Sequence, residues 1–407
     1  MEALYERCAG LDVHKESIFA CVLIGSGRTP EKIKQKFGTF PDDLWRLRQW
    51  LVQQGVTHVM MESTGVYWMP IYDVLEAAVE IVVANAQHIM NVHGRKTDEN
   101  DAEWLAKLLR FGLVNPSFVP PRAFRQLRQL TRYRRAVVQA RASEKNRIEK
   151  HLQIAGIKLS SVASKVFTVS GASMMRQIAR GNTDGQELAK LARSHLRKKM
   201  PQLARAFPSS IPEHTQQLLG MQLRQMDRLD AAVAETELRI EQTTHEYADV
   251  IARLDQVPGV DVLTAIDILA EVGTDMTPWK THRQIAAMAG VCPGNYISAG
   301  KQLKNRSRRG NPYLKTILVQ AACSAIHVRG SYYQAKYARL KQRRGHKRAI
   351  LAIAHSLLVA IYYMLKRNEP YAERGAHSVT EQEAARKKGS LVRQLETLGY
   401  AVQLTER

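Results

Sequence analysis

Hydrophobic residues near the N-terminus occur in short runs that predict strands alternating with helices. The segment RCAGLDVHKESIFACVLI contains two β-prone runs on either side of a polar turn, and KIKQKFGTF contains a third. The amphipathic PDDLWRLRQWLVQQG predicts a helix, THVMMES a strand, the residues after Gly65 a helix and EIVVAN a further strand. A three-stranded meander followed by alternating helices and strands predicts a mixed sheet covered by helices.

The middle of the chain has helical periodicity. PPRAFRQLRQLTRYRRAVVQARASEKNRIEKHLQ contains no helix breaker for about thirty residues after its two prolines, which predicts one long helix. A second long helix is predicted over residues 219–254, because apolar residues recur there every seven residues, as in a coiled-coil seam whose partner is either the first helix or another subunit. The seam residues are Met226, Val233, Ile240, Tyr247 and Leu254. Residues 155–218, rich in Ser, Gly and Pro, predict a less regular insert or short helices.

The remaining pattern predicts a mainly helical C-terminal region. LDQVPGVDVLTAIDILAEVG reads as two helices around a Pro-Gly turn, like a helix-hairpin-helix, which directs backbone N–H groups at a phosphate. THRQIAAMAG predicts a helix, VCPGNYISAGKQLKNRSRRGN a loop, and Pro312 the start of another helix. Residues 349–365 predict a buried helix of a soluble protein, because they are short for a bilayer span and His355 and Ser356 lie at their centre. Residues 380–398 predict a last helix.

The predicted fold class is therefore α/β plus all-α, and the periodicities divide the chain into four regions. An α/β domain covers residues 1–113, and a helical, coiled-coil spacer covers residues 114–250. A mainly α-helical domain follows over residues 251–370, with a C-terminal tail over residues 371–407.

Charge adds a partner to this fold. Sixty Lys and Arg against 38 Asp and Glu give a formal net charge of +22 and a pI near 9.9, which implies an anionic partner, most simply nucleic acid, with an acidic membrane surface as the alternative. The four cysteines form no CxxC pair, so neither a disulfide framework nor a zinc site is indicated, and the expected compartment is a reducing cytoplasm. No secretory signal is visible in MEALYERCAG.

The charges are unevenly distributed along the chain. Residues 1–113 carry 15 acids against 12 bases, whereas residues 276–368 carry 18 Lys and Arg and no Asp or Glu. The second tract is therefore suited to phosphate binding but cannot build a carboxylate metal site, so any metal that assists it must be held elsewhere.

Four carboxylates in the first tract are candidate metal ligands. Asp12 and Glu62 lie near predicted strand ends, and Asp98 and Asp101, three residues apart, face the same way on a helix for which Thr97 is the predicted N-cap. Together they offer hard oxygen donors for two Mg²⁺ or Mn²⁺ ions, as phosphodiester cleavage requires. The alternative is that each acid is a helix cap or a solvated surface group.

Two basic segments are candidate nucleic-acid contacts. One is a stripe along the first long helix, which is alternatively a solvated face opposite its apolar residues; its members are Arg125, Arg128, Arg132 and Arg135. The other surrounds Ser298 with cations able to clamp phosphates; its members are Lys301, Lys304, Arg306, Arg308 and Arg309. A serine in such a loop is most often a phosphate hydrogen-bond donor, and no histidine or acid flanks it to form a Ser-His-Asp arrangement.

Two motif blocks resemble a known family. GLDVHK, MESTGVYW and GRKTDENDAEWLA are similar, in order and spacing, to the Asp-Glu-Asp-Asp domain of the IS one-ten family of insertion-sequence transposases, with its IS eleven-eleven subgroup. AGVCPGNYISAGKQLKNRSRRGNPYLK resembles the second block of that family, which carries its catalytic serine. Ser298 matches that serine, although Ala299 separates it from Gly300, and Ser307 is the substitute.

The resemblance implies a fold, a site and an activity. The first domain is expected to be RuvC-like, with an RNase H-like fold, and its metal-binding set is expected to be Asp12, Glu62, Asp98 and Asp101. The expected enzyme is a cytoplasmic, nucleoid-associated transposase that cleaves and exchanges strands of element ends and target DNA through a phosphoserine intermediate. It is further expected to act with a bridge-type guide RNA as a homodimer or homotetramer, in which the serine domain of one subunit completes the carboxylate site of another.

Two other functions fit the same residues. One is a metal-dependent junction nuclease that uses water as its nucleophile, in which Ser298 only contacts phosphate. The other is a non-enzymatic basic protein that coats DNA or RNA, in which none of the acids matters for function.

Overall fold

The computed structural model describes residues 2–27, 29–63, 65–85, 89, 98–293, 296–298, 301–304 and 307–403. Within these ranges it describes only the backbone of residues 98–100, 296–298, 301–304 and 379–387. The chain divides into two compact units, Met1–Arg122 and Ala123–Arg407. The four predicted domain ranges stay predictions.

Unit 1 (Met1–Arg122) is built on a five-stranded mixed sheet in the spatial order β3-β2-β1-β4-β5. The strands are β1 (Arg7–Val13), β2 (Ile18–Ile24), β3 (Glu31–Phe37), β4 (His58–Glu62) and β5 (Glu80–Ala84). The first three pair antiparallel, and β1, β4 and β5 pair parallel. The helices are α1 (Pro41–Gln53), α2 (Trp68–Leu75) and α3 (Asp98–Arg110). The predicted meander and the alternation that follows it are confirmed.

Alternation along β1 divides unit 1 into two apolar layers. Ala9 and Leu11 belong to one buried cluster, together with residues of α1 and α2 such as Leu47 and Leu75. Cys8 belongs to the other cluster, together with Ala106 and its neighbours on α3. Because successive strand residues point to opposite faces, the even-numbered positions of β1 face α3. Asp12 is therefore directed to the α3 side of the sheet.

Gly10 lets α3 lie directly on the backbone of β1. A Cβ atom at this position would lie 2.1 Å from the carbonyl oxygen of Ala102 and 2.4 Å from the backbone nitrogen of Ala106. These are backbone atoms of a helix and cannot rotate away as a side chain can. The absence of a side chain at Gly10 thus determines how closely Asp101, the neighbour of Ala102, approaches β1.

We expect Gly10→Ala to lower the free energy of unfolding of unit 1 by about 3 kcal/mol, because the added methyl group must push α3 off the sheet. Denaturant unfolding followed by circular dichroism measures this loss. Gly27→Ala is the matched control, since a Cβ atom at Gly27 meets nothing within 4 Å. Equal stability of the two variants would show that α3 does not require the glycine.

Two long antiparallel helices, α4 (Arg122–Ile154) and α9 (Glu213–Thr244), form the spine of unit 2 (Ala123–Arg407). Three polar pairs join the two helices. As the residue number rises along α4 the number of its partner on α9 falls, which shows that the helices are antiparallel. The pairs are Arg134 with Glu237, Arg141 with Asp230 at 3.0 Å, and His151 with Gln222 at 2.9 Å. The predicted coiled-coil seam therefore finds its partner in the first long helix of the same chain.

The predicted end of the second long helix is wrong. The helix ends at Thr244 and not at Leu254, and a 3-10 turn over His245–Tyr247 separates it from the next helix. Thr244 donates its hydroxyl to the carbonyl oxygen of Ile240 at 2.8 Å, so its side chain occupies a backbone acceptor at the point where the α-helix ends. Tyr247 consequently lies outside the seam, where its ring contacts that of Phe124 with centroids 4.9 Å apart.

The predicted insert of short helices is confirmed over residues 155–211, it has a hydrophobic core of its own, and the second long helix begins at Glu213 and not at residue 219. The α-helices are α5 (Leu159–Val162), α6 (Val169–Ala179), α7 (Gly185–Lys190) and α8 (Met200–Ala204), and Ser194–Lys199 is a 3-10 helix. Fully buried residues such as Met174, Met175 and Leu203 form this core, together with Leu152 of α4 and Leu219 of α9. The insert is thus anchored on the ends of both long helices.

The C-terminal part of unit 2 is helical except for one hairpin. The helices are α10 (Ala248–Asp255), α11 (Val262–Val272), α12 (His282–Met288), α13 (Pro312–Ala325), α14 (Tyr332–Arg344), α15 (His346–Arg367) and α16 (His377–Thr397). The hairpin strands are β6 (Tyr296–Ser298) and β7 (Lys301–Lys304), where the sequence predicted only a loop. The pair α10 and α11 confirms two helices around a Pro-Gly turn, and a Cβ atom on Gly259 of that turn would lie 2.3 Å from the carbonyl oxygen of Ala321.

One described helix, α15, is long and apolar enough to cross a membrane by length and composition. Half of its apolar window is buried inside unit 2. Ile353, Leu357 and Ile361 are completely buried there. This burial agrees with the predicted core helix, because a core helix and a membrane span share the same composition.

Candidate active site

The first part of the site is a carboxylate on the α3 side of the sheet. Asp12, the sixth residue of the seven in β1, has a side chain that is 19% exposed and an Oδ2 atom 3.0 Å from Nε2 of His14. Burial raises the pKa of Asp12, the neighbouring charges of Asp101 and Glu62 raise it further, and His14 opposes the shift. Asp12 is therefore a partly desolvated carboxylate whose nearby charges include two further acids and His14.

Strand register accounts for the proximity of Glu62. In the parallel pair of β1 and β4, Leu11 lies opposite Met61, and both belong to the layer beneath α1 and α2. Asp12 and Glu62 each follow by one residue, so both turn to the opposite face. Two carboxylates thus emerge side by side at the carboxyl ends of neighbouring parallel strands.

The third carboxylate comes from the helix that covers this face. Asp101 is half-buried on α3, one residue before Ala102, whose backbone contacts Gly10. Asp98 is the first residue of α3, and its backbone position three residues earlier places it on the same side of the helix. The side chain of Asp98 and the predicted cap Thr97 lie outside the described part of the chain. The structure thus places Asp101 and Glu62 near enough to Asp12 for their charges to raise its pKa, and the role of the set as metal ligands stays a prediction.

The donor chemistry of this cluster fits a hard divalent cation. Carboxylate oxygens are the protein ligands that Mg²⁺ and Mn²⁺ prefer, and a bound cation would offset both the burial and the neighbouring acids that raise the pKa of Asp12. Among the described side chains, no group of three or more His, Cys, Asp or Glu is arranged to hold a metal ion by itself. The remaining donor of the predicted set is Asp98.

Glu103 belongs to a different cluster, which sequence reasoning did not single out. It lies two residues beyond Asp101 on α3 and accepts hydrogen bonds from Lys32 at 2.7 Å, Lys34 at 3.0 Å and Lys107 at 2.7 Å. The bonds to Lys107 and Lys32 lower its pKa to about 2. Glu103 therefore joins α3 to β3, and the three lysines balance the charge of its ionised carboxylate. A helical spacing of four from Lys107 was the only sequence signal for this cluster.

The second part of the site lies in unit 2 and is the stretch of chain around Ser298. We call residues 293–311 the serine segment. Ser298 is the last residue of β6, and its backbone pairs with that of Lys301 at the start of β7. A further bridge between Pro293 and Ser307 closes the base of the hairpin. The side chain of Ser298 lies outside the described part of the chain, so its role stays a prediction.

Ser307 has a defined partner. Its hydroxyl accepts a hydrogen bond of 2.7 Å from Nζ of Lys315 on α13. The chain after it passes close to α12: a Cβ atom on Gly310 would lie 2.4 Å from both the backbone nitrogen of Gly290 and the carbonyl oxygen of Met288. These contacts hold the C-terminal end of the serine segment against two helices.

A buried carboxylate anchors the same segment. Glu271 of α11 is 1% exposed and accepts a hydrogen bond of 2.6 Å from the side-chain nitrogen of Asn311, the N-cap of α13. Both nitrogens that Arg132 presents to it, Nε and Nη2, lie within 2.9 Å of the Glu271 carboxylate. A buried carboxylate needs such partners, since breaking a buried pair leaves an uncompensated charge. Glu271 therefore connects the long helix α4 to the end of the serine segment.

The predicted arginine stripe on α4 faces the interior of unit 2 in part. Arg128 donates to the backbone oxygens of Ala270 at 3.1 Å and Glu271 at 2.8 Å, and Arg132 lies 4.1 Å from the ring centroid of Tyr313. Arg135 donates to the backbone oxygen of Tyr313 at 3.4 Å. Burial lowers the pKa of Arg128 to about 10. These guanidinium groups already have protein partners, and a role in nucleic-acid binding stays a prediction for them and for Arg125.

The structure describes the side chains of only some of the predicted phosphate-binding cations near Ser298. Lys301 and Lys304 are the first and last residues of β7, and their side chains lie outside the described part. Arg306 lies outside it altogether. Arg308 and Arg309 are exposed, and the backbone N–H of Arg308 donates to the carbonyl oxygen of Cys292 at 3.2 Å.

Comparisons with known families cover both parts of the site. One family model, described as a transposase with an Asp-Glu-Asp-Asp domain, matches residues 9–157, which contain Asp12, Glu62, Asp98 and Asp101. A second, the "Transposase IS116/IS110/IS902 family", matches residues 251–338, which contain Ser298. Together the two models span more than half of the 407 residues. The chain belongs to this family of transposases.

Curated relatives agree with this assignment. The transposase for insertion sequence element IS1111A of Coxiella burnetii is 24% identical over 322 residues, which cover 77% of this chain and 79% of the relative. A probable family 20 transposase of Pseudomonas aeruginosa is 29% identical over 169 residues, which cover 40% of this chain and 49% of the relative. The transposase described here is thus an enzyme of DNA cleavage and rejoining, and the family predicted from the two motif blocks is confirmed.

Asp267 gives this transposase a pH-dependent stability. It lies half-buried on α11, and burial raises its pKa to about 6 although Arg134 and Arg135 oppose the shift. An acid whose pKa is higher in the folded state than in the unfolded state destabilises the fold at pH values above both. We expect Asp267→Asn to raise the free energy of unfolding at pH 7 by ~1 kcal/mol, a figure reduced for partial solvent screening.

The gain in free energy of unfolding from Asp267→Asn should shrink as the pH falls through about 6 and vanish below about 4. At that pH the wild-type Asp267 carboxyl is protonated in both the folded and the unfolded state. Denaturant unfolding at several pH values measures it. Asp261→Asn on the same helix is the matched control, since hydrogen bonds to Thr264 lower the pKa of Asp261 and its loss should not stabilise the protein. A pH-independent effect at Asp267 would contradict the prediction.

Proposed function

We propose that this transposase cuts and rejoins DNA through a covalent phosphoserine at Ser298, assisted by divalent cations at the carboxylates Asp12, Glu62, Asp98 and Asp101. One observation carries the proposal: a cluster of acids on one face of the sheet in unit 1 and a serine in an acid-free basic tract of unit 2 lie in the two segments that match the family models. Because residues 276–368 contain no Asp or Glu, that tract has no carboxylate that could hold an activating metal ion for Ser298.

The proposed step balances as a phosphoryl transfer. The Ser298 oxygen forms a bond to phosphorus, the bond between phosphorus and one DNA oxygen breaks, and the proton lost by the serine is matched by one taken up by the departing DNA hydroxyl. A second strand hydroxyl then attacks the phosphoserine and releases Ser298. The number of phosphodiester bonds is unchanged, so strand exchange requires no external energy source.

The carboxylate cluster contributes charge and position. Mg²⁺ or Mn²⁺ held there would lower the pKa of an attacking hydroxyl and neutralise charge on the departing oxygen. Asp12 and Glu62 project from neighbouring strands and Asp101 from the covering helix, so the ligands sit on rigid elements. We propose that the serine segment of one subunit meets this cluster on another, within a homodimer or homotetramer.

The sheet supports a finer fold assignment. Three antiparallel strands followed by two parallel ones, in the order β3-β2-β1-β4-β5, are the arrangement expected for an RNase H-like, RuvC-like domain. In such a sheet the central strand β1 is flanked on both sides, and its carboxyl end lies beside that of β4. That is where Asp12 and Glu62 emerge.

We further propose that a bridge-type guide RNA directs the reaction to element ends and target DNA. The resemblance to the family suggests the RNA, and the net charge of +22 is sufficient to bind additional polyanion. Base pairing would then supply most of the sequence specificity. Sequencing of RNA that remains with the protein after purification in high salt tests this part, and an absence of enriched RNA from the element would contradict it.

The test of the catalytic step is a direct search for the covalent intermediate. Labelled element-end DNA, protein and Mg²⁺ are mixed, and a denaturing gel should show label at the mass of the protein. Peptide mapping of that band by mass spectrometry should place the nucleotide on Ser298. Cleavage without any adduct would favour the water-dependent nuclease, and neither cleavage nor adduct under conditions of complete binding would favour the coating protein.

A further inference from the structure

The turn between α14 and α15 carries a concentrated positive charge that the catalytic proposal does not use. Five of the eight residues 341–348 are Lys or Arg, and all eight residues are exposed. We call this group the basic tip; its members are Lys341, Arg343, Arg344, Lys347 and Arg348. No carboxylate of the described residues forms an ion pair with any of the five.

The tip is rigidly built. Gly345 has a φ of +75°, a conformation that favours glycine, and its N–H donates to the carbonyl oxygen of Lys341 at 2.9 Å. The hydroxyl of Tyr337 lies 2.8 Å from Nδ1 of His346, which joins the end of α14 to the start of α15. Lys336 of α14 donates to Ser356 of α15 at 2.6 Å. The backbone positions that carry the five cations are therefore fixed relative to one another.

The surroundings of the tip indicate which polyanion it fits. Among the described residues between Val328 and Leu391, no large hydrophobic side chain is exposed, so the tip offers nothing to insert into a lipid bilayer. The aromatic rings at the tip are those of Tyr337 and the exposed His346, which lie edge to face with centroids 5.9 Å apart and so form no parallel surface on which successive unpaired bases could stack. What remains is charge alone, which suits the phosphate backbone of a duplex.

We infer that the basic tip binds the backbone of double-stranded DNA without reading its sequence. The inference rests on membership of a family that acts on DNA and not on the proposed serine chemistry. The tip belongs to the end of α14 and the start of α15, outside the basic segment around Ser298 that the catalytic proposal uses. Five cations on one short stretch of backbone can neutralise neighbouring phosphates and release their counterions from the DNA.

The test is a salt titration of binding. Full-length protein is titrated onto a short fluorescein-labelled DNA duplex of arbitrary sequence at several salt concentrations, and anisotropy gives Kd. The variant combines Arg343→Gln, Arg344→Gln and Lys347→Gln. If all three touch phosphates, the slope of log K against log salt should become shallower by about 2.7, and Kd near physiological salt should weaken by roughly a hundredfold.

The matched control removes the same charge elsewhere in unit 2. It combines Lys150→Gln, Lys165→Gln and Lys198→Gln, three exposed lysines on α4 and the insert. We expect a change of slope below about one for this control, because a distant charge acts only through the screened field. Unaltered thermal unfolding of both variants shows that the fold is retained.

Parallel titrations identify the ligand. A duplex RNA, a single-stranded DNA and vesicles containing phosphatidylserine replace the DNA duplex. Equal slopes for the tip variant and the control on duplex DNA would overturn the inference, as would a loss confined to RNA, to the single strand or to the vesicles. Binding is measured without cleavage, so failure of the serine mechanism would leave this result unchanged.

Discussion

Ser298→Ala is expected to lower DNA strand cleavage by at least about a thousandfold and to abolish the labelled band at the mass of the protein, because no other group replaces a lost nucleophile. The substitution removes one oxygen from the end of β6 and leaves the backbone pairing with Lys301 intact. DNA binding should therefore persist. Cleavage rate, adduct yield and Kd, measured on one preparation, separate chemistry from binding.

Ser307→Ala is the matched control for this prediction. Ser307 lies in the same basic segment and was the substitute for the nucleophile, but its hydroxyl already accepts a hydrogen bond from Lys315. Loss of that bond costs about 1 kcal/mol, so we expect at most about a fivefold slower reaction with the adduct retained. If Ser307→Ala removed the adduct and Ser298→Ala did not, the two assignments would be exchanged.

Asp12→Asn is expected to reduce strand cleavage by at least about a hundredfold. Replacing a group that only supports a metal ligand typically costs ten- to a hundredfold, and a ligand itself should cost more. The amide keeps the shape of the carboxylate but removes the charge that attracts the cation. Mn²⁺ binding, followed by calorimetry in the absence of DNA, should weaken in parallel with activity.

Stability should respond in the opposite direction to activity. Burial raises the pKa of Asp12 and so disfavours its charged form in the metal-free fold; His14 opposes this effect, and repulsion from Asp101 and Glu62 adds to it. Asp12→Asn removes that charge, so the free energy of unfolding should be unchanged or higher. The control is Asp42→Asn in the first turn of α1, an exposed acid that should alter neither cleavage nor Mn²⁺ affinity. Full activity of Asp12→Asn would exclude the metal site.

Local patterns predicted most elements of the fold correctly. The meander β1–β3, the long helix α4 and the helix that begins at Pro312 follow from short-range alternation, from the absence of helix breakers and from proline at a first turn. The end of α9 did not follow, because the seven-residue repeat continues through Tyr247 to Leu254 while the helix stops at Thr244. A repeat of apolar residues reports which side chains are buried, and it does not report where the backbone changes from an α-helix to a 3-10 turn.

Some features of the candidate site could likewise be predicted from the sequence, and others could not. The acids and the serine were recognisable because hard oxygen donors in one tract and phosphate-binding cations in another restrict the chemistry to few choices. The arginine stripe was recognisable as charge, yet the buried Glu271, 139 residues from Arg132 in the chain, turns part of it inward. A helical wheel contains no information about what packs against its faces.

The sequence by itself therefore determined most element types, though not the hairpin β6–β7, together with the excess of positive charge and the family, since each depends on residue identity and short spacing. Only the tertiary structure decided that Asp12, Glu62 and Asp101 share one face, that Gly10 admits α3 to that face, and that Glu103 and Glu271 are neutralised by lysines and arginines distant in the chain. Burial and pairing across long loops are properties of packing, and packing sums contacts that no local window contains.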